Sequence, residues 1–190
     1  YQYIKMLGLK TDGRNYIEPL TQATFVESLI SLLSKNPERD RDLANRGNFF
    51  GTIIYYDEYT TKEYMQFVFR KFYEEKKDAE IMDIIWNYFA AVKKRWPSAW
   101  EDVNNSLLPK NNCFRALIKF LRDKYLSLVT IKNKGIPSVD EFMILFQDLK
   151  IKDEDFDSAK GLFPRGDGGM SKFYKYLSGK ITYAELKQEN

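Results

Sequence analysis

At 190 residues, 44% of them hydrophobic, the chain is long enough to bury a core of its own, which excludes a largely disordered segment. Thirty basic against 27 acidic residues leave a net charge of +3, too small to demand a nucleic-acid partner and of the wrong sign to repel one. The chain has no histidine, which excludes Ser-His and Cys-His catalysis and any His-ligated metal within it, and its single cysteine, Cys113, excludes an internal disulfide.

No apolar leader resembling a signal peptide and no run approaching about 18 apolar residues is present, so a cytoplasmic protein without membrane contact is expected. Because a bulky Tyr1 stands first where Met would be expected, a piece of a longer protein is also expected.

Residues 1–20 read as a connector, apolar and basic up to Leu9 and turn-rich over Thr11, Asp12, Gly13, Arg14 and Asn15. Thr21 then caps a helix whose apolar set, Phe25, Val26, Leu29, Ile30, Leu32 and Leu33, is wide enough for a largely buried element ending at Asn36 and Pro37. Residues 38–47 are charged and fit one or two exposed helical turns. Residues 49–59 have the β-branched and aromatic content of a strand with no partner strand elsewhere, and read as an extended connection or a helix start. Thr60 or Thr61 caps the next helix, with Tyr64, Phe67, Val68 and Phe72 inward, which ends in the polar run Glu74 to Asp78.

The centre of the chain is a pair of amphipathic helices. The first gathers Ile81, Ile84, Ile85, Tyr88, Phe89, Val92 and Trp96 on one face at 3.6 residues per turn, and it stops near Arg95 because Pro97 disfavours helix at Trp96. Lys93, Lys94 and Arg95 occupy its last turn, at the negative end of the dipole. The second starts after Asn111 or Asn112, either a good N-cap, and carries Phe114, Leu117, Ile118, Leu121, Tyr125 and Leu128. Two such faces most simply bury each other.

Residues 132–137 form a loop, and Ser138 with Glu141 makes a capping box for a helix with Phe142, Leu145, Phe146 and Leu149 on one face. Residues 153–160 read as a short helix. A glycine-rich loop over residues 161–169 precedes a helix from Met170 to Leu177, and Thr182 to Glu185 suggests a last, fraying turn.

Three constellations invite a chemical reading. The loop before the Met170 helix presents Arg165, Gly166, Gly168, Gly169, Ser171 and Lys172 as a candidate anion site, its plainer alternative being a tight turn of positive-φ glycines, since Walker spacing and a preceding strand are lacking. Asp153, Glu154, Asp155 and Asp157 suggest calcium, but lack the EF-hand glycine and terminal glutamate and fit a solvated helix start better. Arg115, Lys119 and Arg122 recur at helical spacing and, with Lys93, Lys94 and Arg95, offer candidate contacts to DNA phosphates; a solvated charged face is the plainer reading. The aromatic residues, Trp86, Trp96 and Trp100 among them, could stack on bases, but most sit on the apolar faces above and core packing is the plainer reading. Cys113, without a histidine to serve as base, reads as an inert structural thiol.

The segment NYFAAVKKRWPSAWEDVNNSLLPKNNCFRALIKFL, residues 87–121, resembles the C-terminal region of bacterial DGQHR-motif proteins, the group that includes DndB of the DNA phosphorothioation systems. In those proteins N-Y-F-x-x-(V/I)-K is followed by an aromatic-Pro pair, a Trp and a helix of the type G-x-x-A-L-x-x-L-L. Two further segments agree in order: residues 20–29, LTQATFVESL, resemble S-Q-A-x-F-V-x-S-L, and Gly166, Asp167, Gly168 and Gly169 resemble a terminal G-S-G-G turn. The resemblance covers residues 3–178. The Asp-Gly-Gln-His-Arg signature itself is absent, Asn112 and Cys113 stand where Thr and Gly are frequent, and Asp167 replaces Ser.

The resemblance implies an upstream ParB-like DGQHR domain as partner and a DNA-associated role in modification, phage defence or its transcriptional control. The expectation is therefore an irregular all-α domain of about seven to nine helices over residues 21–190, without cofactor or enzymatic activity of its own, partnered by DNA or by further copies of itself. The alternative is a protein-interaction or structural helical domain without DNA contact.

Overall fold

The computed structural model describes residues 20–36, 39, 60–132, 135–163 and 167–188. Over these residues the protein is all-α, with nine α-helices, two 3₁₀ turns and no strand. The expectations for the connector ahead of Leu20, for most of residues 38–47 and for residues 49–59 lie outside the described residues.

Helix α1 (Gln22–Ile30) starts at extended Thr21, whose hydroxyl accepts the Thr24 N–H at 3.2 Å. Its apolar face is narrower than the sequence suggests. Val26 is exposed, and the buried positions within the helix are Thr24 and Ser28, small residues that let α1 close on a neighbouring helix. The chain then tightens, with Leu32 and Leu33 N–H bonding Leu29 and Ile30 carbonyls, and buries Leu32 completely.

The helix expected from Thr60 through Phe72 is two helices, α2 (Thr61–Gln66) and α3 (Arg70–Glu74). Thr60 caps the first, in a reciprocal box with Glu63. The break has a steric cause. Phe67, Val68 and Phe69 are consecutive and all buried, which no single helix face achieves, so Phe67 leaves helical geometry (φ −99°, ψ 66°) and Phe69 donates its N–H to the Leu32 carbonyl at 3.0 Å. Fully buried Arg70 pairs with Glu74, whose side chain is 5% exposed, at 2.6 Å one turn apart within α3.

Helix α4 (Asp78–Arg95) buries Ile81, Ile84, Ile85, Tyr88, Phe89 and Val92, the face set by its periodicity, and ends where expected because Trp96 leaves helical geometry (φ −133°, ψ 68°) before Pro97. The Trp-Pro connection holds a further helix, α5 (Pro97–Glu101), which begins with Pro97 at its first position, where a missing N–H costs nothing. Helix α6 (Asn111–Lys132) is capped at Lys110 rather than at an asparagine: the Phe114 N–H bonds the Lys110 carbonyl, and the Asn111 side-chain oxygen instead accepts the Thr21 N–H at 2.9 Å, tying α1 to α6.

The two central helices do meet through side chains. Phe89 stacks on Phe114 at 5.1 Å and 9°, and Tyr88 donates its hydroxyl hydrogen to the Leu117 carbonyl at 2.8 Å. Their closest backbone neighbours lie elsewhere, however, since large aromatics hold them apart: α4 packs along α7 (Val139–Met143), and α6 packs along α1 and α8 (Asp167–Leu177).

Helix α7 has the expected Ser138/Glu141 box but is shorter than the periodicity suggests, because residues 145–149 turn with tighter, i to i−3, bonds. The short helix read over residues 153–160 is a pair of 3₁₀ turns, Asp153–Phe156 and Ser158–Lys160, closed by Gly161 at φ 64°. The last helix, α9 (Tyr183–Gln188), is docked by fully buried Leu186. Among the described residues no helix is long and apolar enough to cross a membrane.

Candidate nucleic-acid interface

The spacing of Arg115, Lys119 and Arg122 places them on one flank of α6, off the face that buries Phe114, Leu117 and Leu121. That flank faces a groove of about 260 Å³ walled by α1 and by the start of α8. Ser28, Ser31 and Glu27 come from the first wall, Met170 from the second, and Leu32 and Ile118 close the floor. The three cations are held differently. Arg115 lies 3.6 Å from the largely exposed carboxylate of Glu27, a loose contact in water. Arg122 pairs with adjacent Asp123 at 3.0 Å, and Asp123 also accepts the Tyr174 hydroxyl hydrogen. Burial and that bond to Asp123 push the Tyr174 phenol up to about 12. Lys119 pairs with no carboxylate among the described residues; its ammonium sits 4.2 Å over the Tyr174 ring, whose other near cation is Lys180 at 5.3 Å.

The other half of the expected patch is occupied elsewhere. Lys93 reaches Glu101 of α5 at 2.5 Å and Lys94 reaches Asp140 of α7 at 2.7 Å, both as exposed pairs. Arg95 donates to the carbonyls of Phe146, Leu149 and Ile151 at 3.3, 2.6 and 3.2 Å, so it satisfies the tight turn after α7. These three residues bind α4 to its neighbours, whereas Arg115, Lys119 and Arg122 face α1 and α8.

The candidate anion loop is not a loop in its second half. Helix α8 begins at Asp167, so Gly168 and Gly169 lie in its first turn, and neither has positive φ. The apolar run of Met170, Phe173, Tyr174 and Leu177 draws the preceding residues into helix, and Gly169 is buried there. Lys172 is itself buried, and Ser171 is half-buried. Arg165 and Gly166 lie outside the described residues. The acidic group after Lys152 is not a solvated helix start either: Asp153 accepts the Ala99 N–H at 2.8 Å, Asp157 caps Ala159 at 2.9 Å, and buried Asp155 accepts the Lys152 N–H and the Tyr183 hydroxyl at 2.9 and 2.7 Å. Burial opposes ionisation of Asp155, but those two bonds together hold its carboxyl below the usual range.

Cys113 is 1% exposed, and burial pushes its thiol far above the ordinary range. Native protein is therefore expected to resist a thiol-specific chromogenic reagent until denaturant is added, and Cys113→Ser to leave ligand binding unchanged. Rapid labelling of the folded chain would overturn the assignment of Cys113 as structural.

The sequence reading missed Glu27, Ser28 and Ser31. The signal was present: Thr24, Ser28 and Ser31 follow each other at four and three residues, a hydroxyl stripe along one side of α1, masked there by the neighbouring apolar residues. Comparison with family models, curated proteins and solved structures finds no match to the chain.

Proposed function

We propose that the domain contacts the phosphate backbone of DNA through Arg115, Lys119 and Arg122 of α6, as the helical accessory part of a DGQHR-motif, DndB-like protein acting in DNA modification, phage defence or its transcriptional control. The observation that carries the reading is the convergence of three cations on one concave surface, with Lys119 left without a carboxylate among the described residues. Side chains of this kind position a duplex and carry no sequence information, so binding should be alike for every sequence. No catalytic role is proposed for the domain.

Reversing Arg115, Lys119 and Arg122 together to Glu is expected to weaken duplex binding uniformly and to flatten the dependence of log K on log salt by about 0.9 for each phosphate that is no longer neutralised. Isotherms at several salt concentrations measure both quantities. Unchanged affinity and slope in the folded triple variant would end the reading. The family assignment has its own test in the coding sequence ahead of Tyr1, where a DGQHR motif is expected and its absence would remove the assignment.

A second reading, a protein-interaction or structural domain serving an upstream domain or self-association, is favoured by one feature. Met82 and Trp86, one turn apart on α4, are 54% and 69% exposed. Binding that survives high salt would point to that face, because apolar contacts are not screened.

A further inference from the structure

We infer that the outward face of α4 binds the same face of a second copy of this chain, the two helices running antiparallel about an axis between Trp86 and Ala90. This contact rests on the second reading, self-association, gives it a definite surface, and is independent of phosphate contact by α6.

Trp86 is an aromatic residue that core packing does not account for. Ala79, Met82, Trp86 and Ala90 follow one another at three or four residues, which lines them along the side of α4 away from buried Ile81, Ile84, Tyr88 and Val92. Met82 and Trp86 belong neither to the buried core nor to the partly buried side chains packed on it, so folding leaves their apolar area in water. Trp and Met are enriched where proteins meet, and half-buried Ala90, one turn from Trp86, leaves room for an incoming ring.

The charges along α4 decide which partner fits. Asp78 and Glu80 stand in its first turn and Lys93, Lys94 and Arg95 in its last. Two copies laid in the same direction would set acid on acid and base on base; reversed, each lays its acidic end on the other's basic end and the helix dipoles oppose. The face is therefore complementary to itself. Spacing also sets the register: Asp83 and Lys94 are about three turns apart and share one edge of the face, while Met82 and Lys93 share the other. With the axis between Trp86 and Ala90, each Trp86 covers the partner's Ala90, each Asp83 meets the partner's Lys94, and each Met82 lies along the stem of the partner's Lys93. Asp83 pairs with no cation among the described residues, and the pair of Lys94 with Asp140 is exposed on both sides, so a second carboxylate can share that ammonium.

One helix face per copy falls below the roughly 1,200–2,000 Å² of stable complexes, so the association is weak and depends on concentration. Sedimentation equilibrium of the whole chain from about 5 to 500 µM, at about 50 mM salt to limit screening, is expected to show monomer giving way to dimer towards the top of that range. Trp86→Glu should leave monomer throughout, and circular dichroism should show it folded because the side chain it replaces is exposed. Asp83→Lys and Lys94→Asp should each weaken self-association about tenfold, since each homodimer then holds two like-charged contacts. Mixed in equal amounts, the two variants should associate as strongly as the unaltered chain, because the heterodimer restores both contacts with their signs exchanged.

Monomer at every concentration would overturn the inference and self-association with it. A dimer unmoved by Trp86→Glu would overturn the surface alone, placing self-association elsewhere and keeping the second reading. A mixture as weak as the two single variants would overturn the antiparallel register. Phosphate contact is decided separately, by the Arg115/Lys119/Arg122 reversal, since none of the variants on α4 alters those three side chains.

Discussion

Trp96→Ala is expected to destabilise the protein by about 3–5 kcal/mol, the range for removing a large buried aromatic. Trp96 is fully buried where α4 ends, packs edge-on against Phe146 and Phe156 at 5.4 Å each, and donates its indole N–H to the Ile151 carbonyl at 3.0 Å. The truncation therefore opens a cavity and takes a donor from a buried carbonyl at once. Part of that second cost is offset because Arg95 also reaches Ile151. Trp96→Phe separates the two effects, since it keeps most of the volume and loses only the indole donor; it should cost about 1–3 kcal/mol. Denaturant midpoints measure both, and a Trp96→Ala midpoint near that of the unaltered chain would show that residues 146–156 do not depend on this contact.

Ile85→Ala and Leu121→Ala, one on each central helix, should each cost about 2–5 kcal/mol through reduced burial and a residual cavity, since the two side chains are 3% and 0% exposed. Lys94→Ala, by contrast, should stay within about 0.5 kcal/mol, although it breaks a 2.7 Å ion pair. Its side chain and that of Asp140 are 58% and 83% exposed, so water replaces the interaction almost fully and salt screens what is left. Comparable shifts for all three variants would mean that the buried face of the central helices is drawn wrongly.

The pattern of the chain determined those central faces. Seven apolar residues from Ile81 to Trp96 and six from Phe114 to Leu128 are spaced so that only a helix buries them together, and Pro97 fixed the end of α4 by a local clash that no packing can relieve. The capping boxes at Thr60 and Ser138 were equally local, because the hydrogen-bonding partners lie three residues apart in the sequence. So was the angular placement of Arg115, Lys119 and Arg122.

Tertiary structure decided the rest. Whether Phe67, Val68 and Phe69 continue a helix depends on the Leu32 carbonyl waiting for the Phe69 N–H, and whether Asn111 caps α6 depends on Thr21 arriving to claim its side chain. The same holds for the site. Lys93, Lys94 and Arg95 look as suited to phosphate as Arg115, Lys119 and Arg122 when only charge and spacing are known, but α5, α7 and the carbonyls after α7 engage the first set, while α1 and α8 wall a groove in front of the second. Residue spacing fixes where a side chain points around its own helix axis. What it meets there is a property of other segments, 50 to 90 residues away in the hydrogen bonds that tie Arg95 and Asn111, and it is set only when the whole core closes.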